Sequence, residues 1–181
     1  MPAFAVLIFT ALPAHADVSS WMFVGGGPSW VESQNQATRE QGALQIESGL
    51  GTPPADSVIF GGLGRVHTHF GEGTDLGLML RGATHGFVNG DWGGALDLGG
   101  YERFWGIGSA GFAGSLVLGA PWGITLSVGG GLGTNDARSY SAALGVDLAR
   151  LTVYRRTGNS WWVNPFPAYR PEDPTPGGPV D

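Results

Sequence analysis

The chain has 181 residues, 33 of them glycine and none cysteine, with 13 % charged residues and a net charge of −6. That length holds one domain with a sizeable core, and glycine stands far above its usual ~7 % while charge falls well below its usual ~25 %. The missing cysteines exclude a disulfide framework, zinc–thiolate sites and a thiol nucleophile; all the basic residues are arginine, which excludes P-loop and Schiff-base lysine chemistry; and the negative balance argues against nucleic acid as a partner.

The first segment, MPAFAVLIFTALPAHADVSS, carries an apolar run from Ala3 to Leu12, with no Lys or Arg before it. Ala14-His15-Ala16 fits the small-x-small cleavage pattern, so residues 1–16 are expected to be a signal peptide. Beyond residue 16 no apolar run approaches the ~18 residues of a spanning helix. The remaining possibilities are an exported soluble protein or a membrane barrel.

From there, segments of period-two alternation recur along the chain. The expected strands are 20–31, 41–51, 57–70, 74–87, 91–105, 109–120, 122–133 and 138–154. ESQNQATRE, GTPPAD, GEG, VNG, GIG, PW and TNDA separate them, and most of these are short enough for antiparallel hairpins. No helical periodicity interrupts the series, which disfavours βαβ units. The expectation is an all-β, eight-stranded, up-and-down antiparallel barrel over 17–156, followed by an extended, proline-rich tail over 157–181.

Sorting by parity separates two faces. In 91–105, Leu96, Leu98 and Phe104 lie opposite Asp97, Tyr101 and Arg103. In 122–133, Trp122, Ile124, Leu126 and Val128 lie opposite Gly123, Thr125, Ser127 and Gly129. In 138–154, Tyr140, Leu144, Val146 and Leu148 lie opposite Ser141, Gly145 and Asp147. One face is continuously large and apolar; the other is small, with an occasional charge. A soluble barrel would show a strongly polar face to water. Small residues make room inside a narrow lumen, so the apolar face is expected outside, facing membrane lipid.

Aromatics fall near both ends of the expected strands. Trp21, Phe87, Trp92, Trp122 and Tyr154 lie toward one side. Trp30, Phe70, Phe104, Trp105 and Tyr140 lie toward the other. Two such bands match the interfaces of a membrane. The signal-like start, eight alternating strands, two aromatic bands and a polar, glycine-rich second face together resemble the small outer-membrane barrels of the OmpA and OmpX type over about residues 17–156. The resemblance implies residence in the outer membrane of a Gram-negative cell and contact with its assembly machinery. That machinery commonly reads a terminal aromatic, a part that Leu151-Thr152-Val153-Tyr154 could play here.

The charges of the small face are expected to form an interior ion-pair network of Glu47, Arg65, Arg81, Asp97, Arg103 and Asp147. A three-residue hairpin at Val88-Asn89-Gly90 sets Arg81 opposite Asp97, and the GEG turn sets His69 opposite Asp75. His67 and His69 share a strand face, a spacing some metal sites use. With His85 several rungs away, no metal site is expected, and two interior histidines are the simpler reading. His69 with Asp75 and a nearby hydroxyl is a weak catalytic candidate. Gly129-Gly130-Gly131-Leu132-Gly133 lacks both the spacing and the following helix of a nucleotide loop, and no cofactor is expected. In the tail, Trp161, Trp162, Phe166 and Tyr169 among prolines suggest a docking peptide for a periplasmic partner.

The leading expectation is therefore an integral outer-membrane barrel with a charge-filled lumen and a structural or interaction role. The alternatives are a narrow pore for small solutes, a soluble lipocalin-like binder and a lipid-modifying membrane enzyme.

Overall fold

A computed structural model describes residues 18–32, 37–105, 108–134 and 136–152. The expected signal segment, Tyr154 and the tail aromatics Trp161, Trp162, Phe166 and Tyr169 lie outside the described residues.

Eight antiparallel strands close into one barrel in sequence order. They are β1 (Ser19–Glu32), β2 (Arg39–Gly51), β3 (Val58–His69), β4 (Gly73–Thr84), β5 (Gly93–Phe104), β6 (Ser109–Gly119), β7 (Ile124–Gly133) and β8 (Arg138–Asp147). β1 closes the barrel on β8, with Phe23 opposite Asp147 at one end of the seam and Glu32 opposite Arg138 at the other. Two α-helical turns, α1 (His85–Val88) and α2 (Leu148–Thr152), and a 3-10 turn, Pro121–Gly123, lie at the rim where β1 begins and β8 ends. We call this the helical rim and the opposite one the far rim.

Closure satisfies the backbone of every strand and leaves two faces to be filled. The odd-numbered side chains point inward on all eight strands, so the sidedness read from the sequence is the sidedness of the barrel. The outer face is predominantly apolar: Leu78 is 80 % exposed, Leu80 73 % and Phe112 80 %. Charged side chains on it are Glu32, Glu40, Glu102 and Arg138, each at or near the far-rim end of its strand.

Two expected strands end early, because a side chain caps a helical turn. β4 stops at Thr84, whose hydroxyl accepts from Phe87 N at 3.4 Å and from Gly94 N at 3.1 Å. The expected three-residue hairpin at Val88-Asn89-Gly90 is thus replaced by α1 and the residues after it. β8 stops at Asp147, whose Oδ1 accepts from Ala149 N at 3.0 Å and Arg150 N at 3.2 Å. That carboxylate is the N-cap of α2, and residues 148–152 leave the strand.

The turns fold an apolar plug into the helical rim. Trp21, Ile59, Ala83, Phe87, Val88, Ala95 and Val117 form one buried cluster. Trp21 was expected on the outer surface and is instead 1 % exposed inside the lumen. Its odd parity on β1 points it inward. Gly51 and Gly61 make the space for its ring, since a Cβ at either would collide with the indole.

Candidate functional site: a charge-paired lumen

Four consecutive strands each contribute one charged side chain to the middle of the lumen: Glu47 from β2, Arg65 from β3, Arg81 from β4 and Asp97 from β5. Strand register sets Glu47 opposite Arg65 and Arg81 opposite Asp97; between the two pairs Arg65 faces Gly77, four residues along β4 from Arg81, and the long side chains bridge that offset. The hairpin loop differs from the expected one, yet the Arg81–Asp97 pairing is the expected pairing. The four side chains close into a ring. Arg65 Nε donates to Glu47 Oε1 at 2.7 Å, and Arg65 NH2 donates to Asp97 Oδ2 at 2.7 Å. Arg81 donates to Asp97 Oδ1 and Oδ2 at 2.7 and 2.8 Å and to Glu47 Oε2 at 2.7 Å.

Neutral donors complete the ring. Ser115 Oγ donates to Asp97 Oδ2 at 3.0 Å, and Gln45 Nε2 donates to Glu47 Oε1 at 2.8 Å and to Ser127 Oγ at 3.2 Å. Two guanidiniums against two carboxylates leave no net charge. Each ion gives up several kcal/mol of hydration, offset only where geometry and hydrogen bonding are good. Here both carboxylates accept from both arginines.

Toward the far rim lies a second pair. Arg103 Nε and NH2 grip Asp75 Oδ1 and Oδ2 at 2.5 and 2.9 Å. Their strands set them directly opposite, but the β3–β4 turn does not place Asp75 where expected. The turn is Phe70-Gly71-Glu72, with Gly71 at φ 98°, so Asp75 faces His67 and His69 faces Gly73. The slip is by two residues, which preserves the faces. His69 still reaches Asp75 on the diagonal, Nε2 to Oδ2 at 3.1 Å. Its other nitrogen, Nδ1, lies 2.6 Å from Ser29 Oγ of β1. His67 stacks beside it, ring centroids 4.2 Å apart.

Ser29, His69 and Asp75 therefore stand in the order of a hydrolase triad, but Ser29 is 0 % exposed and Asp75 is held by Arg103. The trio is a buried hydrogen-bonded chain that links β1, β3 and β4, and through Arg103 also β5. Among the described residues no group of three or more His, Asp or Glu side chains is placed to hold a metal. Gln45, Arg65, His67, Tyr101, Ser127 and Ser139 border a cavity of about 30 Å³, room for about two waters.

At the helical rim the expected member Asp147 departs from the network. It is fully buried, but its Oδ1 caps α2 and also accepts from Met22 N at 3.3 Å. The buried arginine beside it is Arg150, which sequence reading missed. Arg150 NH2 donates to Asp91 O at 2.8 Å and Ala120 O at 3.1 Å, and NH1 donates to Thr125 Oγ1 at 3.3 Å. It thereby ties the α1–β5 turn to the β6–β7 turn. Burial pulls its guanidinium below the ordinary arginine value, while Asp147 and Asp91 oppose that pull. Arg150 lies 4.7 Å from the Phe87 ring centroid. Arg81 lies 5.6 Å from the same ring and 5.4 Å from Trp21, so cation–π contacts join plug and ring.

The remaining aromatics of the two expected bands are accounted for as follows. Trp92 and Trp122 are exposed at the helical rim; Phe70, Phe104, Trp105 and Tyr140 are exposed at the far rim, with Trp30 half-buried near it. Trp105 and Trp122 both adopt φ 65°, a left-handed backbone that is rare for bulky residues.

Fold and site together define a closed eight-stranded antiparallel barrel, charged and hydrogen-bonded within, apolar without. Comparison with known protein families, with curated proteins and with solved structures finds no match for the chain.

Proposed function

We propose that this chain is an integral outer-membrane β-barrel of a Gram-negative cell, with a filled lumen and a structural or interaction role. The observation that carries this reading is the inversion of the two faces. The outer leucines and Phe112 are exposed around the whole barrel, while Glu47, Arg81 and Asp97 are at most 1 % exposed inside it. An apolar surface of that extent is a liability in water and a requirement in hydrocarbon. A closed barrel also leaves no strand edge to be satisfied by solvent.

The dimensions agree. β5 has 12 residues; at about 3.3 Å each, tilted by about 40°, it rises roughly 30 Å, enough to cross the hydrocarbon core. Exposed aromatics at both rims fall where interfacial belts form. The pore reading is disfavoured by the central ring and by the Trp21–Phe87 plug, which together fill the lumen. The lipocalin-like reading is disfavoured because an apolar ligand would meet paired charges inside. The tail aromatics Trp161, Trp162, Phe166 and Tyr169 retain, as part of this proposal, their role as a periplasmic docking peptide.

Cell fractionation with gel mobility tests the reading. The full chain is expected in the outer-membrane fraction after carbonate washing, with a mobility on SDS gels that changes on boiling. Recovery as a soluble periplasmic protein with no heat-dependent shift would overturn it.

A further inference from the structure

The outer face is not uniformly ridged. A groove of about 1080 Å³ crosses it obliquely from β1 to β5. Its floor is built from small outward residues, Ser48, Gly62 and Gly64, and its walls include Leu50, Leu78 and Leu80. A Cβ at Gly62 or Gly64 meets nothing closer than 3.8 Å, so the floor is open. At the helical rim the groove begins beside Ser20 and Leu148, and it ends at Leu98.

The run of the groove matches one leaflet. Five strands give four interstrand steps of about 4.8 Å, or roughly 19 Å along the groove. Leu98 lies five residues along β5 from Gly93, which at about 3.3 Å per residue and a tilt of about 40° is roughly 13 Å below the rim. Half of a ~30 Å hydrocarbon core is about 15 Å. The groove thus opens at the helical rim and closes near mid-height.

We infer that this groove seats an acyl chain of a membrane phospholipid, its head at the helical rim and its methyl end near Leu98. The inference rests on the membrane reading above. A second copy of the chain fits less well. Groove against groove sets two concave surfaces together and leaves them unfilled. A ridge such as Phe112 entering the groove is a head-to-tail contact, which risks an open-ended chain of copies. A flexible hydrocarbon chain conforms to an oblique, glycine-floored channel without either difficulty.

The test uses the full chain reconstituted in vesicles of palmitoyl-oleoyl phosphatidylcholine, extracted gently and weighed by native mass spectrometry. One phospholipid is expected to remain on the wild-type protein. Gly62→Leu and Gly64→Leu, which fill the floor, are expected to lose most of it. Gly94→Leu adds the same side chain at an outward position beyond the groove, where the nearest atom is 3.5 Å away, and is expected to retain it. Heat-dependent gel mobility of each variant reports its folding independently. Inserted, folded protein that keeps no lipid, or keeps it equally in all variants, overturns the acyl-chain site and leaves the membrane reading standing. A dimer mass lost on Gly64→Leu overturns it in favour of self-association. Failure to enter the vesicles overturns both readings.

Discussion

Arg81 and Asp97 face each other across β4 and β5 and share two hydrogen bonds, at 2.7 and 2.8 Å, in the middle of the lumen. Asp97 also holds Arg65 and Ser115, so its loss leaves two buried guanidiniums sharing one carboxylate, Glu47. Asp97→Asn is expected to destabilise the folded barrel by about 3–5 kcal/mol, the usual result of removing one partner from a buried ion pair. Replacing the pair together, as Arg81→Met with Asp97→Leu, is expected to cost less than the sum of the single changes. Urea unfolding in lipid vesicles measures both, and strict additivity would contradict the ring.

Arg150 and Gly119 are coupled by space. A Cβ at Gly119 would overlap the Arg150 guanidinium. Gly119→Ala is expected to destabilise the wild-type protein and to do little in an Arg150→Ala background. Arg150→Ala alone leaves carbonyls of the helical rim without their donor, a loss of about 1–3 kcal/mol. A double-mutant cycle by urea unfolding reads the coupling directly.

Asp147→Ala removes the cap of α2, and caps are worth about 1 kcal/mol. It also removes the acceptor of Met22 N on β1. The expected outcome is a lower unfolding midpoint with faster amide exchange confined to the helical rim. Unchanged exchange at residues 148–152 would contradict the capping role.

Ser29 is expected to be inert. A fluorophosphonate probe should leave the folded protein unlabelled, because the hydroxyl is buried and bonded to His69. Labelling that Ser29→Ala abolishes would make the Ser29–His69–Asp75 chain catalytic after all.

How far these features could be read in advance differs residue by residue. Arg81 and Asp97 were legible because period-two parity fixes the face and the hairpin register fixes the level. Trp21 was misplaced because an aromatic near a strand end carries the same local signal inside or outside. Only its odd parity with Phe23 and the glycines that make room for its ring at 51 and 61 decide. The end of β8 was hidden because Val146 and Leu148 continue the alternation. Asp147 three residues before Arg150 was the available signal, a cap ahead of a helical turn. Arg150 has outward parity in a strand and points inward only once the chain turns. Ser29 on β1 meets His69 on β3 over the strand between them, a contact that local sequence does not specify.

The chain contains no cysteine, so single cysteines can be introduced without background. The most direct measurement of the inverted barrel is nitroxide labelling at Leu78, Leu80 and Phe112 in lipid vesicles, read by relaxation with oxygen and with a water-soluble nickel chelate. The expected result is strong access for oxygen and little for the chelate at all three positions. Labels reached freely by the chelate would place the leucine face in water and contradict the account.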